Sequence, residues 1–403
     1  MPRLAYLSGA PRLSTRPEAE ASGPRAHVLG VIRGFTELGW DVKPYILGDD
    51  LPGWVAGPGS EKAFSGGGLR TLAADGLRLL ARATVPHRAL AQTGTQVDWA
   101  YERFSPFQSL GKAYQAHGVR WILETNGVLF LEAGHDRHTL VLWRLARRFE
   151  LEAYRTCDVL VCVSDGLRDA VIQGLQIPSS KTVVSETAVD PSRFDPSSTP
   201  PRRQFDGFTI GFVGRLYIWT GLELLFHAVA QLDSEERSRT NIVVVGDGEA
   251  GVSLRHLASS YGLQDRVHFA GQIAMYETPS YIAGFDIGYV APVPVEGLGM
   301  YFSPMKLTEY LAMERPVLGA DYPGIRSIID DGNTGFLFEP GDIQSLKAAI
   351  RKAKLAAPNL GEMGRRGRRD VLARHTWSVR VKDLISDIQS VLTSRSPSPG
   401  TEG

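Results

Sequence analysis

The chain has 403 residues, 43% of them hydrophobic and 22% charged, with 44 basic residues against 44 acidic ones. That length exceeds what one hydrophobic core serves and predicts two domains, while the balanced charge excludes a general basic field for nucleic acid or anionic lipid. The two cysteines, Cys157 and Cys162, lie in an apolar stretch, exclude a disulfide framework and read as reduced core residues. No apolar run reaches the length of about eighteen residues that a membrane span needs, and the N-terminus lacks the pattern of a secretory signal, so a cytoplasmic location is expected.

Short apolar runs at Arg3–Leu7, Asp41–Ile46, Asp98–Tyr101, Arg120–Glu124, Val159–Val163 and Thr182–Val184 predict strands, each followed by a helical pattern or a loop. Such alternation predicts an α/β fold, with a parallel sheet covered on both faces. Between the first two strands, a long loop leads through Gly23 into an amphipathic helix that carries Arg25 and His27 on its first turn. Arg70–Gln92 has Leu at helical spacing with Arg on the other face. It reads as a helix packed on the sheet, limited to four turns or so by Pro86, against the alternative of a surface-binding amphipathic helix. Tyr101–Phe104 and Leu123–Asn126 end two successive strands and bring Glu102, Glu124 and Asn126 to their carboxyl ends. Each carboxylate also reads as a cap on backbone amides or as a partner of Arg103 or Arg120.

Periodicity stops at Asp195–Gly207, where Pro, Ser and charge predict a linker. A second alternating series then runs through FTIGFVG (Phe208–Gly214), NIVVVG, VHFAG, FDIGYV, RPVLGA and TGFLFEP. A last helix, Ser378 to about Leu392, precedes a Ser, Pro and Gly tail, Ser394–Gly403, that is expected to be disordered. Ligands of open parallel sheets bind beyond the carboxyl ends of the strands. There the first strand of this series ends in GRLYIWTG, where Gly214 permits a tight turn and Arg215 offers a fork to a phosphate. VVVGDGEAG, Val243–Gly251, has the glycine spacing of a dinucleotide fingerprint, but the next strand ends in Ala270 and Gly271 rather than in the acid that would hold a ribose. A glycine turn between strand and helix is the sufficient explanation.

Tyr301–Asp342 is the most informative stretch. After a strand within Phe285–Val290 and a loop rich in Pro and Gly, Lys306–Met313 predicts a helix that stops before Pro316. The helix N-terminus at Ser303, Pro304 and Met305 presents unpaired N–H groups and the positive end of a dipole, which suit a diphosphate, and Lys306 adds a full charge. Glu309, one turn in, is placed to accept hydrogen bonds from two ribose hydroxyls.

On these residues the chain resembles the retaining glycosyltransferases of family 4, which have the GT-B fold: two Rossmann-like domains facing a cleft and a terminal helix that crosses back. The resemblance implies domains at 1–194 and 208–376, a linker at 195–207 and a crossing helix at 377–393 that begins at Trp377. It implies a donor site of Glu309, Ser303, Pro304, Met305, Gly214, Gly23 and the turn at Gln272 and Ile273 beside the base. Arg215 and Lys306 would stabilise the leaving diphosphate, and Asn126 would stand where the family more often has a His near the donor hexose. The acceptor side would include Arg25, His27 and Glu102. The usual signature is a Glu, seven residues and a second Glu; Glu309 matches the second, Tyr301 stands at the first, and Glu296 in EGLG is the substitute. Thr220 stands where the family usually has a second cation. The expected reaction is transfer of a hexose-type sugar from a nucleoside diphosphate to an acceptor hydroxyl, with retention, without a metal or other cofactor, and with closure about Asp195–Gly207. Alternatives are a GT-B isomerase or phosphorylase and an inactive sugar-nucleotide-binding protein. Peripheral membrane contact is not favoured.

Overall fold

A computed structural model of the chain describes residues 1–19, 22–52, 68–132, 140–293 and 305–394. Two six-stranded parallel sheets form the frame. The first comprises β1 (Arg3–Ser8), β2 (Asp41–Ile46), β3 (Trp99–Arg103), β4 (Arg120–Thr125), β5 (Val159–Cys162) and β6 (Thr182–Val184), in the order β2-β1-β3-β4-β5-β6. The second comprises β7 (Phe208–Val213), β8 (Thr240–Val245), β9 (Val267–Gly271), β10 (Ile287–Val290), β11 (Val317–Ala320) and β12 (Gly335–Phe338), in the order β12-β11-β10-β7-β8-β9. This is the GT-B architecture expected from the sequence. Strand order reverses direction between β1 and β3 in one sheet and between β7 and β10 in the other, so the loops after those strands diverge and open a crevice.

Apolar strands pair with parallel neighbours and bury both faces, which explains their runs of Val, Ile and Leu. Cys157 and Cys162 sit buried in this core, and burial pushes the Cys162 thiol up to about 12. Trp377–Ser394 crosses back and lies along the opening helix, Gly23–Glu37. Gly30 and Gly34 make the groove for it: a Cβ on Gly30 would fall 2.1 Å from Trp377 Cε2, and one on Gly34 would fall 2.6 Å from Val381 Cγ2.

The chain crosses between domains twice, at Val189 and at Thr376, and the two crossings pair as a parallel bridge. Val189 N–H donates to the His375 carbonyl at 2.9 Å. The expected pivot at Asp195–Gly207 is instead fastened to the second domain. Arg202 N–H donates to the Ser280 carbonyl, Arg203 pairs with Asp286, and Arg368 reaches Asp195.

Another expectation is corrected at Pro86. The helix runs Gly68–Thr93, straight through the proline. Val85 and Ala89 on either side of it are buried, and that packing outweighs the one hydrogen bond a proline removes. This helix buries Thr71, Asp75 and Thr93 while Leu69, Leu77 and Leu80 stay mostly exposed. Among the described residues no helix is long and apolar enough to cross a membrane. The expected tail beyond Ser394 lies outside the described residues.

Candidate functional site

The crevice of the second sheet is organised by one hydrogen bond. The Tyr310 hydroxyl accepts from the Val213 N–H at 2.8 Å, fastening the helix Met305–Ala312 to the end of β7. Tyr289 OH donates to the Gly221 carbonyl at 2.9 Å and ties β10 to the far end of the Gly214–Gly221 loop. Lys306 is thereby laid against Gly214, whose φ is 145°; a Cβ there would stand 3.1 Å from Lys306 Nζ. The ammonium lies 4.1 Å from the centroid of the Phe212 ring.

Glu309 follows one turn later and is 9% exposed. Burial pulls Lys306 down to about 8, with Glu309 opposing the change. Burial also raises the Glu309 carboxyl, opposed by Arg193 and Lys306. Among the described residues neither the ammonium nor the carboxylate has a hydrogen-bond or ion-pair partner. Opposite charges held in a dry crevice without partners are strongly disfavoured unless a ligand satisfies them. Together they fit an anion beside a diol.

The rest of the second-domain set is placed as follows. Arg215 is exposed at the start of the loop, its guanidinium 5.5 Å from the Tyr217 ring centroid, and Tyr217 is stacked on Trp219 with centroids 4.3 Å apart. Thr220 does not face a ligand: its hydroxyl donates to the Tyr217 carbonyl at 2.8 Å and closes its own turn. Gln272 is exposed and Ile273 half-buried in the turn after Gly271, which has φ 69°. Met305 is half-buried and packs against the first domain's core. Ser303, Pro304, Glu296 and Tyr301 lie outside the described residues. The fingerprint glycines serve loop packing, since a Cβ on Gly246 would lie 2.0 Å from the Gly214 carbonyl oxygen and one on Gly248 would lie 2.4 Å from that of Leu216.

On the first domain two acceptor-side assignments are corrected. Glu102 is fully buried and accepts the N–H groups of Leu110 and Gly111, both at 2.9 Å. His27 is 4% exposed, pairs through Nε2 with Glu124 Oε1 at 2.8 Å and meets the Trp377 ring edge-on. Glu124 also accepts from Tyr101 OH at 2.6 Å and from Asn126 Nδ2 at 2.7 Å. Burial alone would raise its carboxyl, but His27, Arg103 and these donors together hold it down at about 2. Asn126 in turn accepts from Arg103 Nη2 at 2.7 Å, so its amide is fixed by the protein on both ends. Gly23 begins the opening helix in open space, and Ser22 caps it by accepting from Arg25 N–H. Arg25 reaches the second domain at Met275, as does Arg193, a residue the sequence did not single out.

Two family models match the chain: Glycosyltransferase Family 4 over residues 21–193 and Glycosyl transferases group 1 over residues 199–370. Alpha-D-kanosaminyltransferase of Streptomyces kanamyceticus is 27% identical over 256 residues, covering 62% of this chain and 62% of that protein. D-inositol 3-phosphate glycosyltransferase of Stackebrandtia nassauensis is 28% identical over 256 residues, covering 60% of this chain and 56% of that protein. The chain thus matches about three fifths of the length of these relatives. Among solved structures, sucrose-phosphate synthase of Thermosynechococcus elongatus superposes with a TM-score of 0.68 at 16% identity, covering 98% of this chain and all (100%) of that one. HepE of Anabaena in complex with UDP gives 0.63 at 17% identity, covering 97% and 100%. Between them the two models match both halves of the chain, and its two-sheet frame is the GT-B fold that these solved structures share.

Proposed function

We propose that the protein transfers a hexose-type sugar from a nucleoside diphosphate to an acceptor hydroxyl with retention of configuration. The observation that carries this reading is the pair Lys306 and Glu309, held one helical turn apart at the switch point of the second sheet without protein partners among the described residues. Lys306 and the exposed Arg215 would take the diphosphate, and Glu309 the ribose diol. As the bond from the anomeric carbon to the diphosphate oxygen breaks, negative charge grows on that oxygen, and fixed cations in a dry site stabilise it. The acceptor oxygen would join the same face of the sugar while its proton passes to the departing phosphate oxygen, which retains configuration without a protein nucleophile. Two cations and a helix N-terminus supply the charge that a metal would otherwise bring, so the reaction is expected to proceed without one. The UDP complex of HepE, a protein of the same fold, is in keeping with this kind of donor.

A second reading, a protein that binds the sugar nucleotide without turnover, is favoured by Thr220, whose hydroxyl is engaged with its own turn. Thermal unfolding against UDP, dTDP, GDP and ADP, with and without magnesium, tests the site. A ligand at about a hundred times its dissociation constant stabilises by about 2.7 kcal/mol, a shift of a few degrees. The expected result is a magnesium-independent rise with one nucleotide, lost in Glu309→Ala. No rise with any of them refutes the site. Turnover with release of the α- or β-linked product, read by proton NMR, separates the two readings and reports retention.

A further inference from the structure

Arg25 and Arg193 form a second centre of charge in the cleft, beside the donor grip. Arg25 lies on the first turn of the opening helix, beside the switch point of the first sheet, and Arg193 lies in the connector after β6. Both reach the same residue of the second domain: Arg25 Nη1 lies 3.1 Å from Met275 Sδ, and Arg193 Nη2 donates to the Met275 carbonyl at 2.6 Å. Arg25 is only 8% exposed, its other terminal nitrogen is used by the Arg16 carbonyl, and its Nε is buried without a partner.

Two guanidiniums brought to one point in a partly dry cleft repel each other, and burial sharpens the repulsion. Compensation is thin. Among the described residues neither arginine has a carboxylate within ion-pair distance. The acids nearest in charge to Arg193 are Glu309, which the donor reading assigns to the ribose, and Asp190, which Arg33 and Ser192 already hold. A thioether sulfur and two carbonyl oxygens are weak partners for two forks that match a carboxylate or phosphate. In keeping with this, burial and the neighbouring Arg25 both lower the basicity of Arg193.

Resting on the assignment of the donor diphosphate to Lys306, we infer that Arg25 and Arg193 form an anion subsite on the acceptor side, so the acceptor carries a phosphate or carboxylate group besides its reacting hydroxyl. The donor diphosphate is the other source of the same chemistry, and the test separates the two. Protein saturated with the nucleoside diphosphate that stabilises it is titrated with inorganic phosphate at constant ionic strength in a calorimeter. Nucleotide is titrated separately in phosphate-free buffer. Wild type, Arg25→Gln, Arg193→Gln and Arg193→Lys are compared, the last keeping the charge should the neutral variant fail to fold.

Phosphate is expected to bind the nucleotide-loaded wild type, each Gln variant to weaken it by about tenfold or more, and Arg193→Lys to keep part of the affinity. Nucleotide affinity should stay within about twofold in Arg25→Gln and should fall less than phosphate affinity in Arg193→Gln, whose charge also acts on Glu309. Three results overturn the inference: no phosphate binding to the loaded protein, equal binding in all four proteins, or a comparable loss of nucleotide affinity, which would give the arginines to the donor. Should no nucleotide bind wild type, the donor assignment fails by itself. Phosphate titration of the unloaded proteins then still reads the arginines, and equal affinities there overturn the inference.

Discussion

Burial holds the Lys306 ammonium down at about 8, opposed by the charge of Glu309. In the free protein the side chain therefore loses its proton as pH rises through that value, whereas a diphosphate against it favours the charged form and raises the pKa again. Binding must then take up a proton above about pH 8, and apparent affinity falls by the factor one plus the ratio of neutral to charged lysine. That factor is about two at pH 8 and about ten at pH 9, a loss of about 1.4 kcal/mol. Equilibrium titration with the stabilising nucleoside diphosphate, from about pH 7.5 to 9.5 at fixed ionic strength, reads it directly. The terminal phosphate, with a second pKa near ~6, is already dianionic throughout that window. Lys306→Arg should bind more weakly at pH 7.5 but with a flat profile, because a guanidinium keeps its proton throughout. A wild-type profile that is also flat to pH 9.5 would refute either the burial of the ammonium or its contact with the ligand.

Glu309→Ala should raise the dissociation constant of a ribonucleoside diphosphate by about ten- to a hundredfold, the worth of hydrogen bonds to a charged group, and raise that of the 2′-deoxy analogue less; equal losses for both would remove the carboxylate from the ribose. Gly30→Ala places a Cβ 2.1 Å from Trp377 Cε2, and His27 lies edge-on to that ring, so a cost of about 1–3 kcal/mol and a fall of several degrees in melting temperature are expected by calorimetry. Burial raises the Glu102 carboxyl to about 7 and that of Glu150 to about 8 from 4.5, so the folded state holds protons that the unfolded chain has released, and stability should fall as pH rises between about 4.5 and 8. Glu124, held at about 2, acts in the opposite sense and loses its contribution as pH falls from about 4.5 toward 2. Melting curves across that range test both arms, and a maximum near pH 9 would contradict them.

What could be read from the chain was whatever depends on neighbours in sequence. Lys306 and Glu309 are three residues apart on one helix, so their shared face follows from helical geometry alone. The strands were also readable, with ends off by up to about two residues, because parallel pairing buries every side chain of a run and leaves an apolar signature. Positions whose role depends on distant partners were not readable. Glu102 read both as an acceptor-side residue and as a cap on backbone amides, and only its acceptance of two amides after the next loop decides between them; His27, placed on the acceptor side, pairs with Glu124 and meets Trp377. Arg193 carries no local signal at all. Its place follows from how the connector meets the 271–277 turn, a contact 82 residues away in sequence.

Of the two departures from the family pattern, Thr220 lies among the described residues. Thr220 sits in a turn held by Gly221, whose φ is 74° and whose missing Cβ makes room for the Ala291 carbonyl 1.8 Å from where it would stand. The threonine hydroxyl closes that turn, so it does structural duty and contributes no charge to the crevice. A diphosphate needs positive charge near it more than it needs that charge from a particular position. Here the bond from Val213 to Tyr310 brings Lys306 onto Gly214, next to the residue that bears Arg215. Two cations thus arrive from opposite walls, one on the loop after β7 and one on the helix that follows β10. Those strands flank the point where sheet order reverses. Charge delivered by Lys306 is also conditional in a way that an arginine or an exposed lysine is not: it is complete only below about pH 8 or with an anion already in place. The grip on the donor should therefore tighten as the diphosphate binds and loosen when it departs, which is the behaviour a leaving-group site requires.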